Sequence, residues 1–206
     1  MQLYNYFRSS ASFRVRIALN YKQLEYTTTE ISLIDNGQKT TEYLAKNPAG
    51  RVPTLEDNGY LIHQSLAIIE YLDTQYPPHP LLPKEPVACA YVREIALSIA
   101  CDIHPLNNLS VLNYLTKTLK HTEEEKLEWY RHWINEGLCA LELIIANNKY
   151  YTKKYCHGDN FSMADICLVA QLYNAKRFNC NLDNFPTILK IEEHCLMLEA
   201  VQKSYP

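Results

Sequence analysis

The 206-residue sequence contains no apolar run of about 18 residues, the length a membrane-crossing helix needs. Residues 1–15 hold no apolar core of a secretion signal, so a cytoplasmic location is expected. Lysine and arginine form no cluster and the formal net charge is −3, which removes the electrostatic footprint of a nucleic-acid binder. No C-x-x-C pair occurs. The seven cysteines (89, 101, 139, 156, 167, 180, 195) are scattered and odd in number. Neither a disulfide framework nor a zinc site is expected from them, and they read as small buried hydrophobes. Internal repeats and low-complexity tracts are also missing.

What is present suits one large domain or two small ones: 47% hydrophobic and 21% charged residues, enough to bury a real core. The two halves follow different rules. Leu3–Phe7 reads as a strand. Ala11, Val15, Ala18 and Leu19 repeat at helical spacing, which predicts a helix over Ser10–Tyr21. Tyr26–Leu33 is strand-like, and Thr40–Lys46 is a short helix ending at Asn47-Pro48. Val52–Glu56 and Tyr60–His63 form a hairpin around Asp57-Asn58-Gly59, and Gln64–Tyr76 is helical. This predicts one small sheet with helices packed on it.

The proline-rich stretch from Tyr76 to Pro83 cannot lie inside a helix or sheet and reads as a linker between domains over 1–80 and 86–206. Beyond it every signal is helical. Pro86–Leu119 reads as one long helix kinked at Pro105. Thr122 to Glu125 is a capping box, followed by Leu127, Tyr130, Ile134, Leu138, Leu141 and Ile145 at steps of three and four. Ser162 to Asp165 is a second capping signal, with Phe161 and Ile166 placed as a hydrophobic staple. Pro186–Leu198 is the last substantial helix.

Three segments of the first half carry chemistry. Ser9, Ser10 and Ser12 stand where a strand gives way to a helix, and a helix N-terminus with nearby hydroxyls is a site for an anion such as a thiolate. Taken alone, such serines are usually N-caps. Pro53 opens a strand-like run. A cis Val52–Pro53 bond would turn the Val52 amide groups outward to pair with an extended peptide; otherwise Pro53 is a plain edge-strand proline. Gln64-Ser65 opens another helix, whose N-terminus and hydroxyl suit a carboxylate, or an N-cap alone. A short peptide carrying a thiol and free carboxylates fits all three together.

The chain resembles the glutathione transferases, and within them the zeta class, whose members include maleylacetoacetate isomerases. The resemblance is carried by YFRSSASFRVRIAL (6–19), NPAGRVPTL (47–55), IHQSLAIIEYLD (62–73), DIHPLNNLSVL (102–112), FSMADICL (161–168), NAKRF (174–178) and LEAVQKSYP (198–206), which span essentially the whole chain. It implies a thioredoxin-like α/β N-terminal domain that binds glutathione, an all-α C-terminal domain that binds substrate, and a homodimer. Carried over by motif, Ser9 and Ser10 sit beside the glutathione sulfur, Val52 next to cis-Pro53 pairs with the cysteinyl backbone, and Gln64 and Ser65 hold the γ-glutamyl carboxylate. Ala11 and Gln38 join the glutathione-binding set, and Asp102, His104 and Asn108 line the site from the helical domain or the neighbouring subunit. Ser162 and Asp165 match a capping motif and are read as structural. Many zeta-class chains have Cys where this one has Ala11, so a protein thiol has no part at that position.

The resemblance implies glutathione-dependent isomerisation of maleylacetoacetate to fumarylacetoacetate, in aromatic amino-acid breakdown. A thiolate adds to the cis alkene, rotation follows, and elimination returns the trans isomer with glutathione regenerated. The small dicarboxylate substrate needs cations. Arg177 is the family-matched choice, Arg8 beside the serines a second, and Lys176 the fallback for Arg177. Read without the family, Arg8 is a solvated charge and Arg177 a helix C-terminal charge. His104 could equally be a plain helix residue, and Arg14 and Arg16 read as members of ion pairs on their helix. Maleylpyruvate isomerisation, conjugation or dehalogenation of small haloacids, and a non-catalytic binding protein remain alternatives.

Overall fold

The computed structural model describes all 206 residues. Its first unit comprises Met1–Leu82 together with Leu196–Pro206, and its second Pro83–Cys195. The first unit is built on four short strands: β1 (Gln2–Asn5), β2 (Thr27–Glu30), β3 (Thr54–Asp57) and β4 (Tyr60–His63). Their order is β2-β1-β3-β4, with β1 parallel to β2 and antiparallel to β3. The β3–β4 turn has Asn58 at φ 49° and Gly59 at φ 80°, the pair of left-handed residues that a tight two-residue hairpin requires. Edge strand β2 exposes all four residues, and its Thr-Thr-Thr-Glu sequence leaves the edge polar.

Helices α1 (Ser10–Tyr21) and α3 (Ser65–Gln75) pack on each other, burying Phe13, Val15, Ile17, Ile68, Ile69 and Leu72 together with Leu3 and Leu55 of the sheet. The short α2 (Thr41–Lys46) is capped by the Thr40 hydroxyl, which accepts from Tyr43 N–H at 3.3 Å. The proline-rich stretch after α3 carries no regular structure but is tied down. The buried Lys22 ammonium meets Asp73 at 2.9 Å and the carbonyls of Pro78 and His79, and Asp73 in turn accepts from Leu81 N–H.

The second unit is helical: α4 (Pro86–Leu97), α5 (Leu109–Asn113), α6 (Glu123–Ala146), α7 (Met163–Arg177) and α8 (Pro186–Leu196, whose last residue falls in the first unit). Residues 163–172 of α7 are buried without a break, which makes it the central helix of this unit. Both capping boxes form, Thr122 with Glu125 and Ser162 with Asp165. No helix is long and apolar enough to cross a membrane.

Four expectations need correction. The helix expected over 86–119 is not continuous. After α4 the chain passes through a π-type turn over 98–103 and a 3-10 turn over 104–107, then breaks at Asn108, whose extended backbone starts α5. Proline at 105 has no N–H for an α-helical bond, and the Asn108 side chain offers the new helix a cap, so the helix restarts instead of bending. The helical domain does not extend to 206. A further helix, α9 (Glu199–Ser204), packs on α1, where Ser204 accepts from Arg16 and Asn20 and Tyr205 lies edge-on to Phe13. Of the cysteines, only Cys156, Cys167 and Cys195 are buried, while Cys101 and Cys139 stand on exposed helix faces. Arg14 and Arg16, expected to form ion pairs on their helix, are buried and donate hydrogen bonds to residues outside it, Arg14 to Ser65 and Arg16 to Asn5.

Candidate active site

Sheet register brings three loop ends to one edge. Tyr4 pairs with Thr54, and Thr54 pairs with His63, so the exit of β1, the entry to β3 and the exit of β4 lie side by side. These ends lead into Ser9-Ser10, out of Val52-Pro53 and into Gln64-Ser65. Thr54 Oγ1 and His63 Nδ1 lie 3.2 Å apart and tie the second end to the third.

The first end is clamped from both sides. The Glu30 carboxylate accepts from Phe7 N–H and Asn5 Nδ2 at 3.0 Å each. Arg16 donates to Asn5 Oδ1 at 2.6 Å and to the Phe7 carbonyl at 3.0 Å. Ser9 is the N-cap of α1, its Oγ accepting from Ser12 N–H at 3.2 Å. That bond uses a lone pair and leaves the Ser9 hydroxyl proton to donate elsewhere. No acidic residue occupies the first turn of α1 to offset the partial positive charge there. Ser10 and Ser12 are buried, and Ser12 Oγ has no partner. Arg8 is exposed with its guanidinium over the Phe7 ring.

At the second end Val52–Pro53 is cis. The N–H and C=O of Val52, a residue only 9% exposed, find no hydrogen-bond partner in the chain. The carbonyl just before them is held hard: Arg51 O accepts from Tyr43 Oη at 2.7 Å and from Asn47 Nδ2 at 2.8 Å. Asn47 also reaches Thr54 Oγ1 and accepts from Ala49 N–H. Burial pushes the Tyr43 phenol up, so it stays a protonated donor. Gly50 sits at φ 58°, and a Cβ there would come within 2.9 Å of the Gln38 carbonyl oxygen, so the chain needs glycine to bring the Gln38 turn this close. Gln38 Oε1 is buried without a partner.

At the third end Gln64 adopts φ 70° and ψ 121°, a conformation a residue with a side chain rarely holds. It places an exposed amide side chain directly before the buried Ser65, the first residue of α3. Arg14 Nη1 donates to Ser65 Oγ at 3.3 Å. α3, like α1, has no acidic residue in its first turn.

The remaining expected residues belong to the helical unit. Asp102 is exposed in the π-type turn and His104 opens the 3-10 turn. Asn108 caps α5, accepting from Ser110 N–H at 3.1 Å. Arg177 ends α7, exposed and lying over the Phe178 ring. Lys176 is committed elsewhere, to the buried carboxylate of Glu192 at 2.5 Å, and is no longer a substitute for Arg177. The supporting residues Glu30, Tyr43, Asn47 and Arg14 were not singled out as site residues from sequence. Only Arg14, a charge placed between Phe13 and Val15 in the apolar part of a helix, gave a signal.

The three ends together offer an unpaired backbone, a helix N-terminus free of acids, and Ser65 with Arg14 behind it, donors suited to an extended peptide that carries negative charge.

Comparison with known proteins agrees with this geometry. Residues 1–74 match the glutathione S-transferase N-terminal domain. The probable maleylacetoacetate isomerase of Vibrio cholerae is 44% identical, with 99% of this chain and 94% of that protein covered. A solved maleyl pyruvate isomerase, described as a bacterial glutathione-S-transferase of the zeta class, superposes with a TM-score of 0.97 at 37% identity over 100% of this chain and 97% of that one. The maleylacetoacetate isomerase of Methylobacterium extorquens AM1, solved with malonate and GSH bound, also gives 0.97 at 37% identity, covering 100% and 96%. With a thioredoxin-like first unit, a helical second unit and similarity along its whole length, the chain belongs to the zeta class of glutathione transferases, the family of the maleylacetoacetate isomerases.

Proposed function

We propose that this protein converts maleylacetoacetate to fumarylacetoacetate in a glutathione-dependent cis–trans isomerisation, acting as a cytoplasmic homodimer. The observation that carries the proposal is Val52, whose backbone N–H and C=O are unpaired between two acid-free helix N-termini. Bound glutathione supplies a thiol whose reversible addition to a cis double bond lets that bond rotate.

The chain's own residues do the rest. Ser9, with its lone pair already given to Ser12 N–H, turns its proton to the sulfur and favours the ionised form, while Ser10 and the α1 N-terminus add their field. Val52 holds the cysteinyl backbone as an added strand would, and Ala11 and Gln38 complete that wall. Gln64 and Ser65 hold the γ-glutamyl carboxylate. On the helical unit Asp102, His104 and Asn108 belong to the same ligand set, with the Asn108 side chain shared with its cap. Arg177, unpaired with any carboxylate, binds the dicarboxylate substrate, and Arg8 stabilises negative charge near the serines.

The test is the spectrophotometric isomerisation of maleylacetoacetate with and without glutathione, beside maleylpyruvate. Fast conversion that requires glutathione is expected. Conversion of maleylpyruvate alone would favour the second reading, since a maleyl pyruvate isomerase and a maleylacetoacetate isomerase match this chain equally, at a TM-score of 0.97 and 37% identity. Glutathione binding without conversion of either would move the function to conjugation.

A further inference from the structure

We propose that Arg14 is a positioning residue that commits the Ser65 hydroxyl to donating toward a carboxylate, and so selects ligands by that group; this rests on the glutathione reading above. Arg14 is only 2% exposed. A guanidinium stays charged in any protein environment. Yet no carboxylate lies within ion-pair distance of it, and its Nε and Nη2 have no partner at all. Its one hydrogen bond is Nη1 to Ser65 Oγ. A buried charge with so little compensation is costly for the fold alone, and it favours any anion that arrives beside it.

The chemistry of that single bond sets the selectivity. Arginine only donates, so Ser65 Oγ must accept, and the one hydroxyl proton is directed away from Arg14. Ser65 is also the first residue of α3, so its backbone N–H is among the donors the helix leaves unpaired. A ligand meeting Ser65 therefore faces donors backed by a cation. A carboxylate, which only accepts, satisfies them; an amide nitrogen or a methylene leaves them unpaired. Arg14 also follows Ser10 by four residues in α1, one helical turn on, so the two share a face of that helix.

The experiment is calorimetric titration of the wild-type protein and of Arg14→Gln, Arg14→Lys and Ser65→Ala with two peptides. One is glutathione, the other its analogue lacking the glutamyl α-carboxylate, 4-aminobutanoyl-cysteinylglycine. Arg14→Gln is expected to weaken glutathione by about tenfold or more while changing the analogue by less than about twofold. Ser65→Ala should give a similar loss, the two together little more than either alone, and Arg14→Lys should recover part of it. If Arg14→Gln does not fold, the ratio of the two peptides in Ser65→Ala and Arg14→Lys decides the matter. Equal weakening of both peptides, or unchanged glutathione binding, would overturn the inference. A wild-type protein that binds glutathione and the analogue equally would overturn it too, while one that binds neither would overturn the glutathione reading with it.

Discussion

Asn47 Nδ2 donates to the Arg51 carbonyl oxygen at 2.8 Å, and so fixes the peptide unit that carries the unpaired N–H of Val52. Tyr43 shares that oxygen. Asn47→Ala removes one of the two donors and leaves Thr54 and Ala49 short of a partner, which should cost about 1–3 kcal/mol in urea unfolding. Because the loop it frees is the proposed peptide clamp, the KM for glutathione should rise as well. Lower stability with an unaltered KM would separate the Asn47 network from the clamp.

Ser9 serves as an N-cap in the structure and as a thiolate partner in the proposal, and two substitutions part these roles. Ser9→Ala loses cap and hydroxyl together, about 1 kcal/mol of stability, whereas Ser9→Gly keeps most of the capping tolerance. Both should lower turnover far more than glutathione affinity. Turnover restored in Ser9→Gly would show that only the cap matters, and an unchanged rate in both would shift the role to Ser10 or to the helix N-terminus.

How far such roles can be read without coordinates depends on how local their causes are. Helix α1 falls where its serine cap and apolar spacing place it, and the Asn58-Gly59 turn is decided by two residues. The helix over 86–119 fails because apolar periodicity continues across Pro105, while the decisive event is the new cap at Asn108. Helix α9 has six residues, too few to show a period, and exists because α1 offers it a face. Arg14 and Arg16 read as members of ion pairs on their own helix because their partners are remote: Ser65 lies 51 positions away and Ser204 lies 188. The three loop ends were legible as motifs, but the residues that hold them in place were not.

Arg177 ends α7 with its guanidinium exposed above Phe178, paired with no carboxylate of the chain. Arg177→Ala should raise the KM for dicarboxylates by about tenfold or more, with a smaller effect on kcat. Assays with an uncharged electrophile provide the contrast. The same loss there would remove its carboxylate-binding role.

Acid should loosen α6 at its start. The Thr122 backbone N–H, followed by its hydroxyl, holds the Glu125 carboxyl below its ordinary value of 4.5. A depressed folded value stabilises the fold above the unfolded pKa, and the contribution is lost as pH falls through the folded value. Glu125→Gln should therefore lose less stability than wild type between pH 6 and pH 3, in urea midpoints compared at each pH. Asp165 titrates with the opposite sign, its carboxyl pushed up mainly by burial, so the paired comparison is needed to isolate Glu125. Parallel curves for the two proteins would contradict the prediction.

Asp165 itself is fully buried and accepts three bonds: from Cys156 N–H at 2.7 Å, Ser162 N–H at 2.8 Å and the Ser162 hydroxyl at 2.7 Å. Two separate segments, the loop at Cys156 and the start of α7, are joined through one carboxylate. Asp165→Ala strands all three donors in a dry site and should cost about 3 kcal/mol or more. Asp165→Asn keeps one oxygen but sets an amide NH2 against the remaining donors, so it should recover only part of that loss. None of these partners belongs to the three loop ends, so the protein that still folds should keep the wild-type KM for glutathione. A KM that rises along with the lost stability would mean that Asp165 serves the site as well as the fold.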